Sequence, residues 1–152
     1  MIRKMNTNDY DLFLKFTKLF YESDAVLHQI PDAFHVRAFE EMMKSSNYIE
    51  GYLFEYEGEA VGYAITAKSY SHEAGGLMLW IDELYILDDY RSMGIGRDFF
   101  NYLRSTLDQS IMRLRLEVEM ENERATEFYQ KMGFDFLEYD QMYKDIDRSN
   151  QD

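Results

Sequence analysis

Three groups of residues in this chain have the types and spacing to do chemistry. The first is Arg91-Ser92-Met93-Gly94-Ile95-Gly96-Arg97. Upstream of it, 77–87 is almost continuously apolar, as a strand covered on both faces should be. Downstream, Ile95, Phe99, Tyr102, Leu103 and Thr106 recur at helical spacing. Two glycines where a strand turns into a helix let the backbone come close to a ligand. They also leave the first N–H groups of the helix free to hold an anion, most naturally a phosphate. The second group is Asp82 and Glu83, adjacent carboxylates inside that apolar strand. Alternation along a strand predicts that they point to opposite faces, so only one can face a given cleft. A carboxylate in such surroundings needs a partner or a ligand. The third group is 122–134, where Asn122 is a good helix cap and Ala125, Phe128, Tyr129 and Met132 make one apolar face. Gly133 is placed to end that helix in a left-handed conformation.

The elements that must hold these groups can be read in order. A short strand at 2–5 precedes a helix capped by Thr7 or Asn8, with Tyr10, Phe13, Phe16, Leu19 and Phe20 inward. Pro31 opens a second helix running to about Lys44. Strands at 48–57 and 60–70 meet in a turn at Glu57-Gly58-Glu59, a hairpin signal. A Gly75-Gly76 turn leads to the central strand and the glycine loop. Residues 112–119 alternate apolar and charged, a strand with one face buried. After the Asn122 helix, strands are expected at 134–138 and 141–146. The reading is one domain over 1–147, with 148–152 a frayed polar tail.

Composition narrows the function. The 152 residues are 46% hydrophobic and 16% aromatic, a globular composition. No apolar run approaches a membrane span, and no apolar leader follows the N-terminus, so neither membrane insertion nor export is expected. The absence of cysteine excludes disulfides and thiolate chemistry and fits a cytoplasmic setting. A net charge of −13 repels nucleic acid and attracts cations. His28, His35 and His72 have no metal-ligand spacing and read as scattered surface histidines; no metal is expected. Ser69 and Ser71 lack any nucleophile-elbow motif.

Two familiar phosphate loops do not fit. A dinucleotide fingerprint needs a third glycine where Phe99 stands, and a nucleotide P-loop needs Gly-Lys-Ser/Thr, which does not occur. Arg91-x-x-Gly94-x-Gly96 instead resembles the acyl-CoA loop of the GNAT superfamily of N-acyltransferases, R/Q-x-x-G-x-G/A after the central strand. The run Asn122-x-x-Ala125-x-x-Phe128-Tyr129-x-x-x-Gly133-Phe134 resembles the second signature of that family, in the family's order. The resemblance implies an α/β (α+β) GNAT fold, with a mixed, mostly antiparallel sheet of about seven strands flanked by about four helices.

It also implies acetyl transfer from acetyl-CoA to a primary amine by direct attack in a ternary complex. By register with the family, Leu84 and Ile86 should bond the pantetheine arm as though it were an added strand. The amides of Ser92, Met93, Gly94, Ile95, Gly96 and Arg97 should hold the pyrophosphate, with charge added by Arg91 and Arg97. Asn122 should contact the cofactor arm. Tyr129 is the candidate general acid for the departing thiolate, or else a core aromatic with its hydroxyl satisfied locally. For the base, Asp82 falls where the polyamine acetyltransferases of the family carry an acid. Glu83, water alone, Glu22, Glu73 and His72 are the alternatives, and a structural salt bridge is the competing role for Glu83. The acidic stretch Glu22-Ser23-Asp24, in the inter-helix loop that rims the family's acceptor pocket, suits a cationic small molecule such as a polyamine or amino sugar. A protein N-terminus or lysine is the second acceptor class, and a non-catalytic acyl-CoA sensor or partner-binding module is the reading from another class. Late aromatic residues Phe136, Tyr139 and Tyr143 would allow a homodimer, as in other members of the family.

Overall fold

The computed structural model describes residues 1–148. A hairpin is the nucleus of its sheet: β2 (Ile49–Tyr56) and β3 (Glu59–Ser71) are antiparallel. Their turn places Glu57 and Gly58 at φ 51° and 86°, a two-residue loop whose twist matches that of the strands. β1 (Ile2–Lys4) pairs with β2, β4 (Gly76–Ile86) pairs antiparallel with β3, and β5 (Ile111–Leu116) runs parallel to β4. The strand order is β1-β2-β3-β4-β5.

Side-chain alternation in this sheet creates two cores. On one face, α1 (Tyr10–Tyr21) and α2 (Asp32–Lys44) cover Leu53, Tyr63 and Ile65. Phe13, Phe16 and Phe20 supply the buried stripe of α1, each contributing about 1.5–3 kcal/mol by leaving water. On the other face, α3 (Ile95–Thr106) and α4 (Glu123–Lys131) pack over Tyr52, Phe54, Leu79 and Ile81. Phe99, Phe100 and Leu103 are buried there, whereas Thr106 ends α3 at its edge. Among the described residues no helix is long and apolar enough to cross a membrane.

Several expectations change. The cap of the first helical segment is Asn6, not Thr7 or Asn8. Its side chain accepts from the Asn8 amide, and Asp9 reaches back to the Asn6 amide across a short 3-10 turn, Thr7–Asp9. Among the described residues the sheet has five strands: 134–138 and 141–146 form none, and Phe136, Tyr139, Met142 and Tyr143 are exposed. A strand needs a ladder partner, and within one chain this segment has found none. β5 stops at Leu116 rather than running to 119, and Met112 is exposed because the β4–β5 register skips it. Of the tail expected at 148–152, residues 149–152 lie outside the described residues.

Candidate functional site

α3 begins with its backbone arranged for an anion. Gly94 has φ 87°, a left-handed conformation that suits glycine, and the first helical bond runs from the Asp98 N–H to the Gly94 carbonyl at 2.9 Å. The amides of Ile95, Gly96 and Arg97 precede that bond and have no acceptor within the helix. Gly96 has a different reason: a Cβ there would meet the Phe128 ring at 3.0 Å, so the second glycine lets α4 approach α3. Ser92, at φ 63°, is held by Arg124, whose guanidinium donates to Ser92 Oγ at 2.7 Å. Arg91 donates to the Ile86 carbonyl at 3.0 Å, pairs with Asp88 at 2.7 Å and lies over the Tyr85 ring. It therefore stabilises the turn as well as lending charge to it.

This loop forms one end of a cleft of about 1270 Å³. Leu84, Ile86, Arg91, Ser92, Gly94, Ile95, Gly96, Arg97 and Asn122 all line it, whereas Met93 is half exposed and outside the lining. Asn122 caps α4 by accepting from the Ala125 amide at 3.1 Å, so its side-chain oxygen is already engaged. The cleft exists because the sheet splits. The parallel ladder ends at Ile81 and Leu116, and from Asp82 to Ile86 the side of β4 away from β3 has no strand beside it among the described residues. An extended ligand can bond to that backbone with its anionic end on α3. The acids Glu22, Asp24, Glu119, Glu121 and Glu127 share the walls with Arg97, Arg124 and Lys131.

Asp82 and Glu83 sit at the head of the split and do not point to opposite faces. Ile65 pairs with Glu83 and Thr66 with Ile81, so Asp82 is an extra residue, a β-bulge. Leu79 and Ile81 before it, and Leu84 and Ile86 after it, all pack on the α3/α4 core. The bulge resets the alternation and turns both carboxylates away from that core. Glu83 is 7% exposed and lies against the α1 side, where the Tyr63 hydroxyl donates to Oε2 at 2.5 Å and the Tyr21 hydroxyl is turned to the same group. Among the described residues no cation pairs with Glu83. Burial pushes its pKa up to about 7, Asp82 adds to this, and the two tyrosines oppose it. Asp82 is open to solvent yet ringed by protein, and that desolvation, with Glu117 second, raises its carboxyl above the ordinary range.

Tyr129 lies on α4 beside a neighbouring cavity of about 810 Å³, with Leu116, Glu117 and Val118 where the chain leaves β5. Its ring packs on Phe100 and Phe134, and burial holds its pKa up at about 12. The first cleft has Phe128 in its wall, not Tyr129. Of the other candidates, Glu22 lines that cleft. Glu73 faces Arg113 at 3.7 Å, and His72 is exposed outside the cleft. His35 is 3% exposed rather than a surface residue, with its Nδ1 3.0 Å from Thr17 Oγ1. Tyr63 and Arg124 were missed in the sequence: Tyr63 looks like an ordinary core aromatic, and nothing local to Arg124 ties it to Ser92.

A split sheet with a bare strand edge, an anion-ready helix and paired acids at the fork is an arrangement with room for an elongated, anionic-ended ligand. The chain belongs to the acetyltransferase (GNAT) family, which it matches over residues 13–134. It is 34% identical over 74 residues to N-alpha-acetyltransferase 50 of Danio rerio, covering 47% of this chain and 44% of that protein. It is 27% identical over 97 residues to spermine/spermidine N(1)-acetyltransferase of Bacillus subtilis, covering 61% and 64%. The chain thus spans about half to two thirds of these relatives. In fold it is similar to the aminoglycoside acetyltransferase AAC(6')-Iy bound to a bisubstrate analogue, with TM-score 0.79 at 16% identity over 96% of this chain and 97% of that one. It is also similar to a "possible acetyltransferase" from Clostridium difficile 630, with TM-score 0.81 at 22% identity over 97% and 98%.

Proposed function

We propose that this protein is an N-acetyltransferase that moves the acetyl group of acetyl-CoA to a primary amine of a cationic small molecule, such as a polyamine or an amino sugar. The observation that carries the reading is the fork of the sheet, where the bulge brings two carboxylates beside a free strand edge that leads to the α3 amides. The thioester arm bonds the β4 backbone around Leu84 and Ile86, and the pyrophosphate takes the amides from Ser92 to Arg97. The residues fit this substrate: the amides are bare, Gly94 supplies the left-handed turn, and the cleft accepts an extended arm.

The amine nitrogen attacks the thioester carbon in the ternary complex, and the carbon–sulfur bond breaks. Glu83, held near neutrality by burial, accepts the proton that the amine sheds. Asp82, facing solvent beside it, attracts the cationic acceptor or relays that proton through water. Tyr129, which keeps its proton at neutral pH, lines the neighbouring cavity where the chain leaves β5. It is the group assigned to protonate the departing thiolate, which requires the thioester end of the arm to reach that cavity. The acidic cleft walls support a cationic acceptor, and the two small-amine acetyltransferases among the relatives and fold neighbours agree with it. The 34% identity to an N-alpha-acetyltransferase favours a protein N-terminus as the second reading.

Acetyl-CoA-dependent thiol release with polyamines, aminoglycosides, amino acids and short peptides tests the assignment. Turnover of a cationic small amine supports it, turnover of peptides alone moves the acceptor to protein, and CoA binding without turnover leaves a sensor. The reading includes a homodimer, supported by the exposed aromatic segment after α4 and the unpaired outer edge of β5. Its test is the mass in solution with and without residues 135–152.

A further inference from the structure

We propose that Arg115, stacked on the Trp80 ring, binds a carboxylate of the acceptor, so that the favoured acceptor is a small basic amino acid offering its side-chain amine to Glu83. The proposal rests on the acetyltransferase reading and narrows its acceptor. Four arginines are half-buried among the described residues: Arg3, Arg91, Arg113 and Arg115. Arg3 faces Asp9 at 2.8 Å, Arg91 faces Asp88 at 2.7 Å, and Arg113 faces Glu73 at 3.7 Å. Arg115 alone faces no acid among the described residues, in a chain with 29 acidic residues against 16 basic ones. Its guanidinium lies 4.6 Å from the centroid of the Trp80 ring, and Trp80 is its cross-strand partner on β4. Stacking holds the guanidinium in one plane and engages its face, which leaves the N–H edge as a fork for a carboxylate. A guanidinium partly withdrawn from water without an acceptor costs free energy, and a bound carboxylate removes that cost.

Position in the sheet selects the owner of that carboxylate. Leu79 and Ile81 of β4, and Leu114 and Leu116 of β5, pack on the α3/α4 core, so alternation sends Trp80 and Arg115 to the opposite face. The bulge turns Asp82 and Glu83 to that same side. Trp80 is half-buried and does not pack into the core under α1 and α2. Arg115 also lines the cavity that Tyr129 borders. One strip of the sheet therefore has two carboxylates at the fork and an unpaired guanidinium below them. A ligand that meets both has an amine at one end and a carboxylate at the other. Glu83 follows Trp80 by two ordinary strand steps and the bulge, so about 7–10 Å along the strand separates the two ends. An extended lysine spans about 7 Å from its carboxylate carbon to its ε-nitrogen by ordinary bond lengths, whereas its α-amine lies too near the carboxylate to reach both. A diamine satisfies the acidic end but turns a second cation toward Arg115, which repels it.

Trp80 is the only tryptophan in the chain, so its fluorescence reports this subsite directly. In the intact protein with CoA bound, L-lysine should change Trp80 emission saturably. Cadaverine, the same skeleton without the carboxylate, should not do so at equal concentration. In thiol release from acetyl-CoA, kcat/KM for lysine should exceed that for cadaverine about ten- to a hundredfold, the worth of a charge-assisted bidentate pair. Nα-acetyl-lysine should keep that advantage and its carboxamide should lose it, which separates the carboxylate from the α-ammonium. Arg115→Gln should bring lysine down to the level of cadaverine with KM for acetyl-CoA unchanged. Arg115→Lys, which keeps the charge without the planar fork, should restore only part of the preference. Equal or faster turnover of cadaverine by the parent overturns the carboxylate subsite and leaves the acetyltransferase reading standing. A folded Arg115→Gln that still prefers lysine does the same. Should that variant fail to fold, Trp80 emission blind to lysine in the parent overturns the subsite. A parent that turns over no amine overturns the acetyltransferase reading and the subsite with it.

Discussion

The two halves of the cleft are built from different materials. At the α3 end the groups offered to a ligand are bare backbone amides, turned by Gly94 and braced by Arg91 and Arg124. At the head of the split the polar groups are buried side chains, Glu83 hydrogen-bonded by Tyr63, set by one extra residue in β4. Backbone chemistry tolerates many substitutions of side chain as long as the glycine remains. Carboxylate chemistry depends on each neighbour that desolvates or donates to it, so the two halves should fail in different ways.

The sharpest break should come at Glu83. Glu83→Gln is expected to lower kcat roughly 10²–10⁴-fold while acetyl-CoA still binds, as equilibrium binding would show. In the parent, kcat/KM should rise with pH and level off above about 7, because the base works only when deprotonated. An unchanged rate in Glu83→Gln, with the limb intact, would transfer the role to Asp82 or to water.

The same carboxyl affects stability in the opposite sense. Burial lifts its folded pKa above the ordinary glutamate value, so its contribution to stability is present at low pH and is lost as pH rises through about 7. Above pH 8, Glu83→Gln should therefore be more stable than the parent, on the order of 2 kcal/mol, with the difference fading toward pH 5. Denaturant melts at the two pH values measure it.

At the backbone end, Gly94→Val forces a branched residue into φ 87° and should cost about 1–3 kcal/mol in strain. The predicted signature is weaker CoA binding, with the pH profile of any remaining activity unchanged. The Cβ itself meets nothing within 4 Å, so the loss comes from backbone geometry and the ligand's approach. Tight CoA binding by a folded Gly94→Val would remove the loop from the site.

The smallest effect concerns neither half. Arg3 grips Asp9 through two bonds of 2.8 and 2.9 Å and holds its carboxyl below the ordinary range. That stability is present above the unfolded carboxylate pKa and is lost as pH falls through the folded one. Asp9→Asn should cost roughly 1–2 kcal/mol at pH 7, with no change in kcat, and the deficit should shrink on acidification.

Much of this was legible from residue types and spacing. The loop from Arg91 to Arg97, the Asn122 cap and the hairpin at Gly58 are local features, written in dihedral preferences that neighbouring residues do not override. The face of Glu83 was not legible, because alternation counts residues in one strand while a bulge depends on its partner. Nothing in 77–87 announces that Ile65 and Thr66 skip Asp82. The His35 environment was hidden for the same reason: Thr17 is 18 residues away, and only the packing of α1 on α2 joins them.

The sequence by itself determined the family, the order of the elements to α4 and the glycine loop that opens α3, all properties of short windows and their succession. Tertiary structure alone decided which carboxylate is buried and what hydrogen-bonds it. It also decided that Gly96 serves the contact with Phe128, and that the aromatic segment after α4 forms no strand within one chain. Those outcomes depend on cross-strand register and on partners distant in sequence, and a strand or a buried charge exists only when such a partner is in place.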